Sequence, residues 1–265
     1  MDWLPLTTAQ LLLFLTVLAR VGGLVMTAPI FGTKAVPKQV RVVFAVVLAM
    51  VVAPTQCGTA VNPPQNMTGY AVLLGGELFI GLCLGLGIVI LFSGVQVAGG
   101  LIGRMGGLVL ADVFDPNSNE NVPMFSQLLL FVTLAVFFCT GGHRIVMAAL
   151  LDTFQTIPVG SSVSPHCVGE VFVALIQQSF LLGIRAAVPV IAALLLSTLV
   201  LGLIGRAVPQ LNILTVGFGL NSMLAMAAVS FTLGTTAWLF QDQIEPTVQA
   251  VIETLRAPVN TSWLS

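Results

Sequence analysis

The side chains of this chain that could do chemistry are few. Charged residues make up only 7% of it, yet several gather between Arg104 and Pro123, in RMGGLVLADVFDPNSNENVP. This stretch holds Asp112, Asp115 and Glu120, with three Asn and two Pro. Gly99, Gly100, Gly103, Gly106 and Gly107 loosen the backbone before it, and Phe125 to Cys139 is almost wholly apolar after it. A loop this polar cannot face lipid, where its N–H and C=O groups would find no partners. It belongs in water, inside protein or in a pore.

Four other charges, Arg20, Glu77, Arg185 and Arg206, lie in or beside apolar segments. Charge at membrane depth is costly and faces the protein interior, another charge or water. One reading makes these residues a translocation pathway or a substrate site. The other makes them interhelical pairs, such as Glu77 with one of the arginines, or side chains that snorkel to an interface. Catalytic patterns are missing: there is no H-E-x-x-H and no G-x-x-x-x-G-K-[ST]. Ser93, in LFSGV, lacks the G-x-S-x-G setting of a nucleophile elbow. His143 and His166 sit on different segments, and Cys57, Cys83, Cys139 and Cys167 are scattered singly, without metal or redox spacing. The expectation is a protein that is not an enzyme, with no cofactor and no metal.

The elements that hold these residues are apolar helices. The chain has 265 residues, 57% of them hydrophobic, a formal net charge of −1 and a mean hydropathy of +1.05. Soluble domains carry about 25% charged residues, so the composition predicts a polytopic membrane protein. It gives no basic stripe for nucleic acid. The N-terminus, with Asp2 ahead of its first apolar run, does not read as a secretory signal. Apolar segments run over 11–30, 42–53, 70–98, 125–139, 145–154, 168–204 and 214–240, and an amphipathic tail follows over 241–265. The second is short for a span of about 20 residues, and the third is long. Pro189 predicts a kink near Arg185. The basic loop from Lys34 to Arg41 would face the cytoplasm in an ordinary inserted protein. The spacing Gly81-x-x-x-Gly85 fits close helix packing in lipid, with Gly75, Gly76 and Gly87 nearby. The expected fold is all-α: one unit over 1–265, made of helical hairpins with long, kinked helices.

Several of these stretches resemble one family, the flagellar biosynthetic protein FliR and its virulence type III secretion counterparts, the R-type export-apparatus subunits. The matching pieces run in order: RVGGLVMTAPIFGTKAVPKQVR (20–41), GELFIGLCLGLG (76–87), GRMGGLVLADVFDPNSNENVPM (103–124), GGHRIVMAALLDTFQTIPVG (141–160) and RAAVPVIAALLLSTLVLGLIGRAVPQLNI (185–213). The resemblance implies a non-enzymatic subunit of a bacterial export gate in the inner membrane, at the flagellar basal body. Its implied partners are the P-type and Q-type subunits (FliP, FliQ), the FlhB-type switch protein, the FlhA-type export protein, membrane lipid and unfolded secreted substrates. In that family the hairpins need not cross the bilayer as hydropathy suggests, and glycine-rich faces would pack against sister subunits. The loop matching 106–121 would project into the channel and plug it, which assigns Gly106, Gly107, Asp112, Phe114, Asp115 and Pro116 to the plug. A small-solute secondary transporter, with Arg185, Pro189 and Glu77 at a broken-helix site, is the competing expectation. It calls for paired halves, and no duplication is evident between 1–130 and 131–265.

Overall fold

The computed structural model describes residues 8–29, 37–56, 66–106, 124–160, 165–208, 210 and 213–256. Among these every regular element is helical: α1 (Thr8–Thr27), α2 (Lys38–Val52) with a 3-10 turn (Ala53–Gln56), α3 (Met67–Met105), α4 (Met124–Cys139), α5 (Gly142–Thr156), α6 (Pro165–Ala207) and α7 (Ile213–Arg256). Five of them are long and apolar enough to cross a bilayer: α1, α2 with its 3-10 turn, α3, α6 and α7. The chain is therefore an all-α polytopic membrane protein.

The helices are longer than hydropathy alone suggested. α2 begins four residues ahead of the apolar run at Val42, because Pro37 sets its start and Lys38, Gln39 and Arg41 are good helix formers. With its 3-10 turn it reaches a 19-residue apolar stretch, Lys38–Gln56. α3 continues through Gly99, Gly100 and Gly103 to Met105, since tertiary packing outweighs the weak helix propensity of glycine. α6 runs unbroken through Pro189. α7 absorbs the first part of the expected C-terminal tail, continuing past Phe240 and Pro246 to Arg256.

The helices contribute to two compact units, one comprising Met1–Val89, Gly141–Leu175 and Ile244–Ser265, the other Ile90–Thr140 and Ile176–Gln243. In the first, α1 buries Leu12, Thr16, Arg20 and Leu24, with Leu13, Val17, Val21 and Val25 beside them, and Ala28 just past its end continues the stripe. That is a stripe at i, i+4 spacing, and Arg20 occupies a core position within it. α2 sets Ala45, Ala49 and Val52 inward. The end of α7 buries Ile244, Thr247, Val248, Val251 and Leu255, again one face of a 3.6-residue period.

The second unit is centred on phenyl rings. Phe92, Phe137 and Phe240 are fully buried, and Phe92 meets the other two edge-on, at centroid distances of 5.6 and 4.9 Å. A Cβ on Gly94 would collide with the Ser179 carbonyl, and one on Gly183 with the Gly94 carbonyl, so α3 and α6 cross backbone to backbone there. At Gly99 the neighbour is the Ser126 backbone, 2.5 Å from a hypothetical Cβ, and Ser126 Oγ donates to the Gln96 carbonyl at 2.8 Å.

Candidate functional site

Within the first unit the structure gathers Arg20, Glu77 and the end of α5 into one buried network. Arg20 is 0% and Glu77 1% exposed. Arg20 Nε donates to Glu77 Oε2 at 2.7 Å. Nη1 donates to the Thr153 carbonyl at 2.9 Å and to Thr153 Oγ1 at 3.3 Å, and Nη2 to the Ile157 carbonyl at 3.2 Å. The guanidinium carbon lies 4.3 Å from the Phe154 ring centroid, within cation–π range. The other Glu77 oxygen, Oε1, accepts the Gly160 N–H at 2.9 Å.

The arrangement follows from where α5 stops. Ile157, with φ −124° and ψ 90°, is its C-cap, and Pro158 cannot continue the helix. The last carbonyls of a helix lack intrahelical donors and carry the negative end of its dipole. A guanidinium fork placed there satisfies them and meets a favourable field. Gly160 then takes φ +87°, a left-handed conformation that favours glycine, and turns its N–H onto Glu77. Arg20 thus joins α1 to α5, and Glu77 joins α3 to both Arg20 and the turn after α5.

Close approach of α1 and α3 makes this possible. A Cβ on Gly81 would fall on the Arg20 carbonyl oxygen and one on Gly85 on Thr27 Oγ1. A Cβ on Gly23 would lie 2.5 Å from the Leu78 carbonyl. This face of Gly81-x-x-x-Gly85 is therefore used inside the chain, against α1. Gly75 and Gly76 meet nothing within 4 Å.

Chemically the network is closed. Each guanidinium nitrogen and each carboxylate oxygen has a protein partner, so neither charge presents a free group to a solute. Its work is to hold three helices and the Thr156–Gly160 turn in one geometry. The pairing of Glu77 with an arginine was one of the two sequence readings, whereas Thr153, Phe154, Ile157 and Gly160 had not been singled out as its other members. The signal for them was the Thr-Ile-Pro-Val-Gly run, a helix end followed by proline and glycine.

The remaining candidates lie elsewhere. Arg185, Pro189 and Arg206 are exposed on the part of α6 that belongs to the second unit. Proline has no N–H, so the Arg185 carbonyl receives no helical hydrogen bond from Pro189. Gly106 is buried at the end of α3, its N–H donating to the Ile102 carbonyl at 2.8 Å. Gly107, Asp112, Phe114, Asp115 and Pro116 lie outside the described residues. Among the described residues no group of three or more His, Cys, Asp or Glu could hold a metal ion.

Long apolar helices pinned by a buried charge pair define a class, the helical membrane proteins of several spans. Within that class this chain belongs to the bacterial export proteins, family 1, whose family model matches residues 11–247. It is 32% identical over 217 residues to the flagellar biosynthetic protein FliR of Escherichia coli (strain K12), covering 80% of this chain and 81% of that protein. The FliR protein of Bacillus subtilis (strain 168) is 31% identical over 227 residues, 83% of each chain. That of Caulobacter vibrioides is 28% identical over 237 residues, 89% of this chain and 94% of that protein.

Proposed function

We propose that this chain is a non-enzymatic subunit of the bacterial flagellar type III protein export gate. It forms part of a protein-conducting channel in the inner membrane, together with P-type and Q-type subunits, and adjoins the FlhB-type and FlhA-type proteins. The chain acts as one subunit, and residues 106–121 close the channel at rest. The observation that carries this reading is the family match over 11–247, with relatives named as flagellar biosynthetic proteins.

Physical features support it. α3, α6 and α7 contain 39, 43 and 44 residues, or roughly 60–65 Å at 1.5 Å per residue. That is about twice a 30 Å hydrocarbon core, more than a simple bilayer span needs. α6 exposes Phe180, Leu195, Leu196, Leu199 and Leu203, a face suited to lipid or to the helices of sister subunits. A polar loop with Gly and Pro tolerates a hydrated pore and can be displaced by an unfolded substrate, with Asp112 and Asp115 solvated and Phe114 against the constriction.

The test is deletion of residues 107–121 from the chromosomal copy, read by export of a flagellar reporter and by ion leakage across the inner membrane. Greater leakage in a normally assembled complex is the expected result. Unchanged leakage and export would make the segment an ordinary connector and overturn the plug assignment.

A further inference from the structure

We propose that the α6–α7 hairpin of the second unit is a hinged arm. Residues 190–207 of α6 and 216–229 of α7 move as one body about a pivot at 184–189 and 230–236. The arm seats on the end of α3 at Gly106 and can leave it.

Two sets of contacts fix the ends of the moving part. At the base, α3 holds both helices at one level. Ser179 Oγ donates to the Ile90 carbonyl, Gly183 comes up against the Gly94 carbonyl, and Phe240 meets Phe92 edge-on. Further out, Ser197 Oγ donates to Asn221 Oδ1 at 2.7 Å, and Asn221 Nδ2 donates to Thr198 Oγ1 at 3.4 Å. Four residues on in α6 and four back in α7, a Cβ on Gly217 would touch Leu201, which is the register of an antiparallel pair. Between base and clasp α6 runs from Gly183 to Ser197 and α7 from Phe240 back to Asn221. With the same rise per residue in both helices, 184–189 of α6 lies beside 230–236 of α7.

Both helices are weak at that level. Pro189 leaves the Arg185 carbonyl without its helical donor, and proline is a leading cause of helix bending. Alongside, Ser230, Thr232 and Thr236 each turn a hydroxyl back onto the carbonyl four residues earlier, at 2.8, 3.0 and 3.0 Å. Such back-bonding loosens and bends helices. Gly234 stands among them in open space and adds the low helix propensity of glycine. A single weak stretch lets one helix flex, whereas two at one level let a clasped pair turn together, with a few residues absorbing the change. Beyond the pivot the arm exposes Leu196, Leu199, Met223 and Met226. Its contact with the end of α3 is between small groups: a Cβ on Gly106 would lie 3.5 Å from the Ala225 Cβ. Motion of the arm is a property of this chain alone, independent of the export-gate reading.

The test is electron–electron double resonance on the full-length chain in nanodiscs, with its four native cysteines replaced by alanine and nitroxide labels on introduced pairs. Val97→Cys with Leu199→Cys reports the arm against α3, Leu199→Cys with Met223→Cys the arm itself, and Val97→Cys with Leu181→Cys the base; all four positions are exposed. Two distances are expected for the first pair and a single narrow one for each of the others. Gly234→Ala, whose Cβ meets nothing within 4 Å, should lower the second population of the first pair about five-fold, the preference of alanine over glycine inside a helix. Pro189→Ala, which returns a donor to the Arg185 carbonyl, should lower it at least as far. One narrow distance for the first pair, or equal broadening within the arm, would overturn the hinged arm. Populations unchanged in both Gly234→Ala and Pro189→Ala would overturn the pivot, and with it the proposal.

Discussion

Replacing Glu77 by Gln is the sharpest perturbation of the buried network, because it changes two hydrogen bonds and almost no volume. Each carboxylate oxygen accepts from one donor, Oε2 from Arg20 Nε and Oε1 from the Gly160 N–H. Gln offers one acceptor and one NH₂ group, so it must set a donor against either Arg20 or Gly160. The guanidinium also loses its counter-charge while 0% exposed. Breaking a buried pair from one side costs ~3–5 kcal/mol, and that is the expected loss of unfolding free energy for Glu77→Gln. Reversible unfolding of the purified chain by SDS in mixed micelles would measure it. Removing both charges, as Arg20→Met with Glu77→Leu, should cost less than the single change, because no lone charge is left behind. It should still cost ~1–3 kcal/mol for the buried Ile157 carbonyl left without its partner, whereas the N–H of exposed Gly160 can turn to water.

The exchange of partners, Arg20→Glu with Glu77→Arg, separates this account from simple charge pairing. A carboxylate at position 20 would face the carbonyls of Thr153 and Ile157, which now receive the Nη donors, and acceptors would meet acceptors at the negative end of α5. The exchanged protein should be at least as unstable as Glu77→Gln. Recovery of wild-type stability by the exchange, or a Glu77→Gln cost under ~1 kcal/mol, would refute the reasoning.

Three further predictions follow from backbone and packing geometry. Gly81→Ala should destabilise by ~1–3 kcal/mol or more, since its Cβ meets the Arg20 backbone rather than a side chain that can move. Gly75→Ala, in open space on the same helix, should be neutral or gain up to ~1 kcal/mol, and the same SDS titration compares the two. Gly160→Ala forces an L-residue to φ +87° at ~1–2 kcal/mol. Its cost should add incompletely to that of Glu77→Gln, because both act on one hydrogen bond. Phe92→Ala should remove ~3–5 kcal/mol by emptying the space between Phe137 and Phe240, whereas Phe231→Ala, 92% exposed, should leave the detergent-solubilised chain as stable as before.

The sequence made the membrane class, the helical content and the family legible, because composition and the order of motifs carry them directly. It made the buried charges legible as residues needing partners, but not which partners they take. Glu77 had several arginines to choose from, and only the fold puts position 20 of α1 opposite position 77 of α3. Helix ends were misread where a local signal lost to packing. The glycines at 99, 100 and 103 look like a breaker, yet Gly99 is where α4 comes within contact of α3 at Ser126. The polar run after Phe240 reads as a separate tail, yet α7 continues through it to Arg256 with Thr247, Val248 and Val251 buried.

Hydropathy also hides a division of labour that burial and glycine spacing expose. α3 and α6 share the same mean hydropathy, 2.6, over their apolar stretches, yet 61% of the α3 window is buried and only 17% of the α6 window. Apolar content cannot tell a helix that forms the core from one whose outer face meets lipid or another subunit, since both must be oily. Close backbone contact can. Gly81, Gly85, Gly94 and Gly99 of α3 each sit where a Cβ would strike a neighbouring helix, whereas of the three α6 glycines only Gly183 does, against Gly94, and Gly169 and Gly202 meet nothing within 4 Å. α3 is thus the helix around which each unit is packed, and substitutions along its glycine row act on folding before they act on assembly. The exposed leucines of α6 are the reverse case. They do little to hold this chain together, and their apolar character is explained by what covers them in the membrane or in the assembled apparatus.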